Sequence, residues 1–353
     1  MPLINCTRCF ANTPTYWVSI ILCLFLGTAT TNAIAQDAAP QSPVEFPTEE
    51  ASSIEPSFEE IQKPFLLRPF FEIPTYSFYL GAPDVQGYAF VPNFAPRLGL
   101  TAGWNGTQIT AAFSLPIPKE EIDRRGPSQQ QSYILHTQIF NQPMDLYYQT
   151  YRGFYAGNPV HELSFNKAER YTQFPQASVN NIGVNVYYVF DKQDYNPRAA
   201  FDYTKIPKYN GGSWYVMPFA NHLIIDMGEK IIVGSELDAI QNFPDIHKLS
   251  VLSAGSTFGY GHSWVLANEK TIFSAQGSIG PAAQRQISED RQGHAEQTYG
   301  LSGKAGFRVT LGRNTQDETW GGRVFGDVLY SRLGKLDLYS TVLTLQLFYG
   351  ARF

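Results

Sequence analysis

The end of this chain constrains its fold more tightly than any other stretch. From Val342 to Phe353 apolar residues recur at every second position. Successive side chains of a strand point to opposite sides. One face therefore carries Leu343, Leu345, Leu347, Tyr349, Ala351 and Phe353, and the other carries Thr344, Gln346, Gly350 and Arg352. One face suits lipid and the other water, and a terminal aromatic residue closes the run. Leu347, Tyr349, Gly350 and Phe353 form the expected signal read by barrel-assembly machinery.

The same period recurs along the chain. Ile109, Ala111, Phe113 and Leu115 oppose Gln108, Thr110 and Ser114, and Ile182, Val184, Val186, Tyr188 and Phe190 oppose Gly183, Asn185 and Tyr187. Between 298 and 311, Tyr299, Leu301, Ala305, Phe307, Val309 and Leu311 alternate with polar residues that include Lys304 and Arg308. Trp320, Val324, Val328 and Tyr330 oppose Arg323 and Asp327. The connections alternate in length, as short periplasmic turns and long outer loops do in a membrane barrel. Short ones are expected at Asn105-Gly106, a tight hairpin pair, and at 141–144, 191–196, 263–269 and 312–318. Long ones are expected at 117–131, 156–177, 221–248 and 282–297, with a short final outer turn near 333–335. With a first strand near 76–91, the pattern predicts an all-β, transmembrane, antiparallel up-and-down barrel of about twelve strands over residues 74–353.

The N-terminus predicts export. A polar start with Arg8, an apolar run from Val18 to Gly27 and a small-x-small site at Ala33-Ile34-Ala35 define a signal peptide over residues 1–35. Cys6, Cys9 and Cys23 would leave with it, so the mature chain has neither disulfides nor thiolate chemistry. Residues 36–73, rich in Pro, Ser and Glu, are expected to be a mobile acidic periplasmic segment, with Pro64 to Phe71 apolar enough to dock. A partner in the periplasm is the expected target of residues 37–72. The 21 Tyr and 25 Phe suit aromatic girdles at two membrane interfaces, whereas a net charge of −5 argues against nucleic acid. The expected location is the outer membrane of a Gram-negative cell.

Asn185-Val-Tyr187-Tyr188-Val189-Phe190-Asp191, Arg198-Ala199-Ala200-Phe201 and Gly211-Gly212-Ser213 resemble an uncharacterised bacterial barrel family, domain of unknown function 4421. The same resemblance includes Phe258-Gly259-Tyr260-Gly261-His262-Ser263-Trp264-Val265 and Ile279-Gly280-Pro281, and it spans residue 75 to the end. It implies an outer-membrane barrel without an assigned activity and brings no catalytic residues with it.

Gly261-His262-Ser263-Trp264 is hydrolase-like in sequence, but neighbours on a strand face opposite sides, which separates the imidazole from the hydroxyl. His161, His222, His247 and His294 are expected in outer loops among acidic residues, without metal-ligand spacing. Inside the barrel the alternation places His136, Lys304, Arg308, Arg323, Asp327, Gln346 and Arg352. That basic lumen predicts either a passage for small polar or anionic solutes or an internal ion-pair network that fills the bore. Three roles follow: a pore, a closed structural or assembly barrel, and a surface enzyme acting on lipid. No cofactor and no metal is expected.

Overall fold

The computed structural model describes residues 57–82, 85–93, 95–157, 171–228, 246–266, 270–290, 292–333 and 336–353. The expected signal peptide and most of the acidic segment lie outside these residues.

Twelve antiparallel strands close into a barrel. In chain order these and their neighbours are β1 (Phe58–Glu60), β2 (Phe65–Ala82), β3 (Val85–Val91), β4 (Arg97–Trp104), β5 (Thr107–Ser114), β6 (Gln129–Ile139), β7 (Gln142–Ala156), β8 (Gln173–Val186), β9 (Tyr188–Val189), β10 (Lys205–Pro207), β11 (Gly211–Asp226), β12 (Ile246–Val265), β13 (Thr271–Asp290), β14 (Ala295–Asn314), β15 (Glu318–Leu333) and β16 (Leu336–Arg352). The wall runs β2, β4, β5, β6, β7, β8, β11, β12, β13, β14, β15, β16, and β16 pairs back onto β2 with Gln346 opposite Glu72. Closure leaves the twelve-stranded wall no open edge, which is what hydrocarbon demands of a strand-built span. No helix among the described residues is long and apolar enough to cross a membrane.

Three expectations are corrected. Residues Pro64 to Phe71 are not part of a linker: β2 begins at Phe65, and its first half pairs with β4 and β16. The barrel therefore starts before residue 74. The connection expected at 191–196 extends from Phe190 to Asn210 and folds inward. The long loop expected at 282–297 shrinks to residues 291–294, because β13 and β14 project as a hairpin to Asp290 and Ala295. The tight turn at Asn105-Gly106 forms as expected, with φ of 46° and 80°, and Phe140-Asn141 makes a second one with φ of 49° and 57°.

The outside of the wall is apolar and open to its surroundings. Leu98, Leu100, Ile109, Ile182, Ile279, Leu301, Leu311 and Leu347 are all exposed, an area that water would penalise and lipid accepts. All four described tryptophans, Trp104, Trp214, Trp264 and Trp320, lie on this face near the short turns. At the other margin Tyr79 and Tyr330 flank Tyr339, at 6.1 and 5.0 Å between ring centroids. The ten steps from Trp320 to Tyr330 span about 33 Å along the strand, or about 25 Å across a bilayer at the usual tilt. That matches the apolar height of an outer-membrane barrel.

Towards the outer end, five strands exchange their faces. On β2 the inward residues change from Arg68 and Glu72 to Tyr76, Phe78 and Leu80, while the outward ones change from Leu67, Phe71 and Ile73 to Thr75 and Ser77. β12 does the same at Val251-Leu252, and β16 at Val342-Leu343. On β8 and β11, Ala177, Val179, Leu223 and Ile225 point inward against outward Ser178, Asn180, His222 and Asp226. The inward set joins Tyr151, Phe154, Phe90, Leu249 and Leu338 in one buried core. Tyr76 stacks on Tyr151 at 4.1 Å and Phe78 on Phe90 at 4.8 Å. β3 pairs directly with β7 at Phe90 and Val91, above the ends of β4, β5 and β6, which narrows the wall around this core.

Candidate functional site: a plugged and charged lumen

The segment between β9 and β11 enters the bore from the end that carries the tryptophan margin. Asp191 starts it with an Asx turn, its Oδ1 accepting the backbone N–H of Gln193 at 3.0 Å and of Asp194 at 3.1 Å. Asn196 Oδ1 accepts the N–H of Arg198 at 2.9 Å, and Pro197 leads into a single π-helical turn, Arg198–Asp202. Tyr203, left-handed at φ 59°, ends that turn. Its apolar face, Ala200 and Phe201, packs on Tyr187, Val189, Tyr195, Tyr215 and Met217. Outside the mouth, β10 pairs with β1, so the chain leading into the barrel is bonded to the segment that fills it.

The end of the π-helical turn leaves carbonyls without helical partners, and three arginines of the wall satisfy them. Arg323 donates to the carbonyl of Phe201 at 3.4 Å, Arg68 to that of Asp202 at 3.2 Å, and Arg352 to that of Tyr203 at 2.8 Å. Gln108 adds a second bond to the Asp202 carbonyl at 2.9 Å, and Arg198 reaches the carbonyl of Gly106. Gly350 is needed for this arrangement. A Cβ there would lie 3.0 Å from Cβ and 3.2 Å from Cγ of Arg68, which crosses β16 on its way to the plug.

Above the plug lies an ion-pair network. Asp145 on β7 joins His136 at 2.7 Å, Arg308 at 3.0 Å and the hydroxyl of Tyr187 at 3.2 Å. Asp202 pairs with Arg198 at 3.2 Å, and Glu72 holds Arg97 at 2.7 Å and Gln346 at 2.9 Å. Lys304 donates to Asn185 Oδ1 at 2.8 Å and sits 4.8 Å from the ring centroid of Phe219. His136, Asp145 and Asp202 offer ligand atoms within 4.8 Å of one another. Arg308 and Arg198 already neutralise the two carboxylates, so the trio reads as part of the ion-pair network. Between the plug and the outer core is a cavity of about 100 Å³. His136, Asp145, Lys304, Arg308, Arg323 and Asp327 border it, with Phe201 from the plug and Leu223 from the outer core.

The alternation thus brings His136, Lys304, Arg308, Arg323 and Asp327 together around one cavity, and sends Arg352 to the plug instead. Arg323 and Asp327, two positions apart on one face, do not pair with each other in the described contacts. Sequence reasoning missed Arg68, Glu72, Arg97, Asp145, Arg198 and Asp202. For Arg68 and Glu72 the signal was present, because both alternate with apolar residues between Phe65 and Ile73. Of the assembly-signal residues, Leu347, Tyr349 and Phe353 face outward and Gly350 faces inward.

Ser263 faces inward and bonds Ser274 at 2.8 Å, while His262 faces outward, 4.3 Å from the ring of Trp264. The two side chains diverge as the strand period requires. His222 lies on β11 rather than in a loop, bonded to Ser250 at 2.8 Å, and His247 is on β12, 3.9 Å from Asp226. His294 occupies the 291–294 turn with Asp290 at 3.0 Å. His161 lies outside the described residues.

An apolar exterior with two aromatic margins, a closed strand-built wall and a charged interior define a transmembrane β-barrel of the outer-membrane class. The chain belongs to the family described as domain of unknown function (DUF4421), whose profile matches residues 61–353. No curated protein matches the sequence. Among solved structures it is similar to the outer membrane protease OmpT from Escherichia coli, with 7% identity and a TM-score of 0.38 over 86% of this chain and 99% of that one. It is also similar to an outer membrane channel from Pseudomonas putida F1, with 8% identity and a TM-score of 0.31 over 82% of this chain and 96% of that one. A third similarity is to the P. putida toluene transporter TodX, with 8% identity and a TM-score of 0.28 over 82% of this chain and 90% of that one. These likenesses concern the fold alone.

Proposed function

We propose that this protein is a closed outer-membrane barrel, a structural or binding element that presents its two ends to partners rather than an open diffusion pore. The observation behind this reading is the filled bore. Tyr76, Phe78, Val179, Leu223, Val251 and Leu338 are each at most 1% exposed, and on the opposite wall Gln284, Gln286, Ser302 and Ser331 are at most 6% exposed. Side chains that a water-sized probe barely reaches leave no hydrated path between them. A close-packed interior is as dense as an organic crystal, and the plug closes the bore a second time. The lumen cations expected to select anions are largely engaged, by carboxylates or by plug carbonyls. Single-channel recording of the refolded mature protein in a planar bilayer tests the reading. Silence is expected from the intact chain, and silence also from a variant lacking residues 192–209, because the outer core remains. Steady open steps from the intact chain would overturn it.

The cavity between the two closures favours a second reading, a gated passage for small polar solutes. Brief openings that vanish when the plug is cross-linked to the wall would select it.

A further inference from the structure

The interior from the plug to the outer core is charged out of balance. Among the described residues seven cations face it: Arg68, Arg97, Arg198, Lys304, Arg308, Arg323 and Arg352. Four described carboxylates answer them: Glu72, Asp145, Asp202 and Asp327. Arg97, Arg198 and Arg308 each have a carboxylate at hydrogen-bond distance. Arg68, Arg323 and Arg352 have the plug carbonyls, which supply partial charge only. Lys304, 6% exposed, has one amide oxygen and the faces of Phe219 and Tyr147. Asp327 remains beside the cavity against this surplus. Removing a charge from water costs several kcal/mol unless a counter-charge accompanies it.

Cations with donors to spare converge on the cavity. The Lys304 ammonium carries three N–H groups and donates one of them to Asn185 Oδ1 at 2.8 Å. Nε of Arg323 is buried without a hydrogen-bond partner. Arg308 spends one Nη on Asp145 and keeps a quarter of its side-chain surface accessible, at 25%. The cavity, at about 100 Å³, has room for a tetrahedral anion, since a single water needs only about 10–15 Å³ on the same measure.

We propose that this cavity binds one small inorganic oxyanion of phosphate or sulfate size, held by Lys304, Arg308 and Arg323. The anion offsets most of the interior's surplus of positive charge whether or not the bore ever opens. It belongs to the folded barrel, so it stabilises the native state in proportion to the logarithm of its concentration.

The test is thermal unfolding of the refolded protein at constant ionic strength, with inorganic phosphate, sulfate or the bulkier gluconate as the anion. The midpoint is expected to rise with each tenfold step of phosphate or sulfate and to stay flat in gluconate. Lys304→Gln and Arg323→Gln should flatten the phosphate response, whereas Lys248→Gln on the outer surface should leave it intact. Equal midpoints in all three anions would overturn the proposal, as would an unaltered phosphate response in both cavity variants. Should those variants fail to fold, crystals of the unaltered protein soaked in selenate decide the matter. An anomalous peak within hydrogen-bond distance of Lys304 Nζ supports the site, and a cavity without one overturns it.

Discussion

The two ends of this barrel obey opposite rules in one continuous wall. In the half that ends at the tryptophan margin, Leu67, Phe71, Leu345 and Leu347 face outward and Arg68, Glu72, Gln346 and Arg352 face inward. Beyond the switch positions, Ser178 and Ser250 face outward and Phe78, Val179, Val251 and Leu338 face inward. The first half is built for a hydrocarbon solvent, so its interior is free to be polar. The second is built for water, so burial of apolar area drives it as in any soluble domain. The strand changes solvent without changing its hydrogen bonds.

Breaking the watery half from within has the largest expected effect. Val251→Asp places an unpaired carboxylate in a fully buried apolar core and should prevent formation of the compact, heat-modifiable barrel on a gel. The milder Phe78→Ala removes a stacked ring that is 0% exposed, and should lower the unfolding free energy by about 3–5 kcal/mol in urea titration. A loss below 1 kcal/mol would mean that the outer end does not contribute a cooperative core.

Changes on the outward face sharpen the contrast. Leu345 lies midway between the two aromatic margins on β16, so Leu345→Arg should cost about 2–4 kcal/mol in folding into lipid vesicles. Ser250→Arg, outward on β12 beyond the switch, should change stability by less than about 0.5 kcal/mol. Equal costs at the two sites would erase the proposed boundary between lipid and water.

The smallest expected effect lies at the rim beside the tryptophan margin, where β1 pairs with β10. Lys63 bonds Asp317 at 2.6 Å across the mouth and holds its carboxyl below the usual carboxylate value. A depressed folded value means that the contact stabilises the fold above the ordinary carboxylate range and is lost as pH falls through the lowered one. Release of β1 to limited proteolysis should therefore begin only in acid below about pH 4, and Lys63→Ala should remove that step. An identical pH profile in the variant would show that the backbone pairing of β1 with β10 alone holds the segment.

Much of the wall was legible from residue order because alternation is local. The C-terminal strand from Leu343 to Phe353, the Asn105-Gly106 turn and the opposed side chains of His262 and Ser263 each depend on a few neighbouring residues. Where alternation changes phase, the same reading misleads. Ile73-Pro74 on β2 and Val342-Leu343 on β16 put adjacent apolar residues on opposite faces, and only the solvent on each side explains why both are satisfied. Pro64 and Pro69 fell in the stretch read as a linker, yet Pro69 pairs in register with Leu100, as Pro74 does with Thr344. Arg198-Ala-Ala-Phe201 followed a region read as a short turn and carried no sign that it enters the bore.

The sequence by itself determined the class of fold, the exterior and the chemical type of the interior, because the period of two and the aromatic margins are properties of single strands. Tertiary structure alone decided that the bore is filled. The outer core joins side chains of β2, β3, β7, β8, β11, β12 and β16, and the plug is fixed by arginines from three other stretches of chain. Which charges meet, and which carbonyls they cap, depends on barrel closure and on the inward path from Phe190 to Asn210, and neither is encoded in any local pattern.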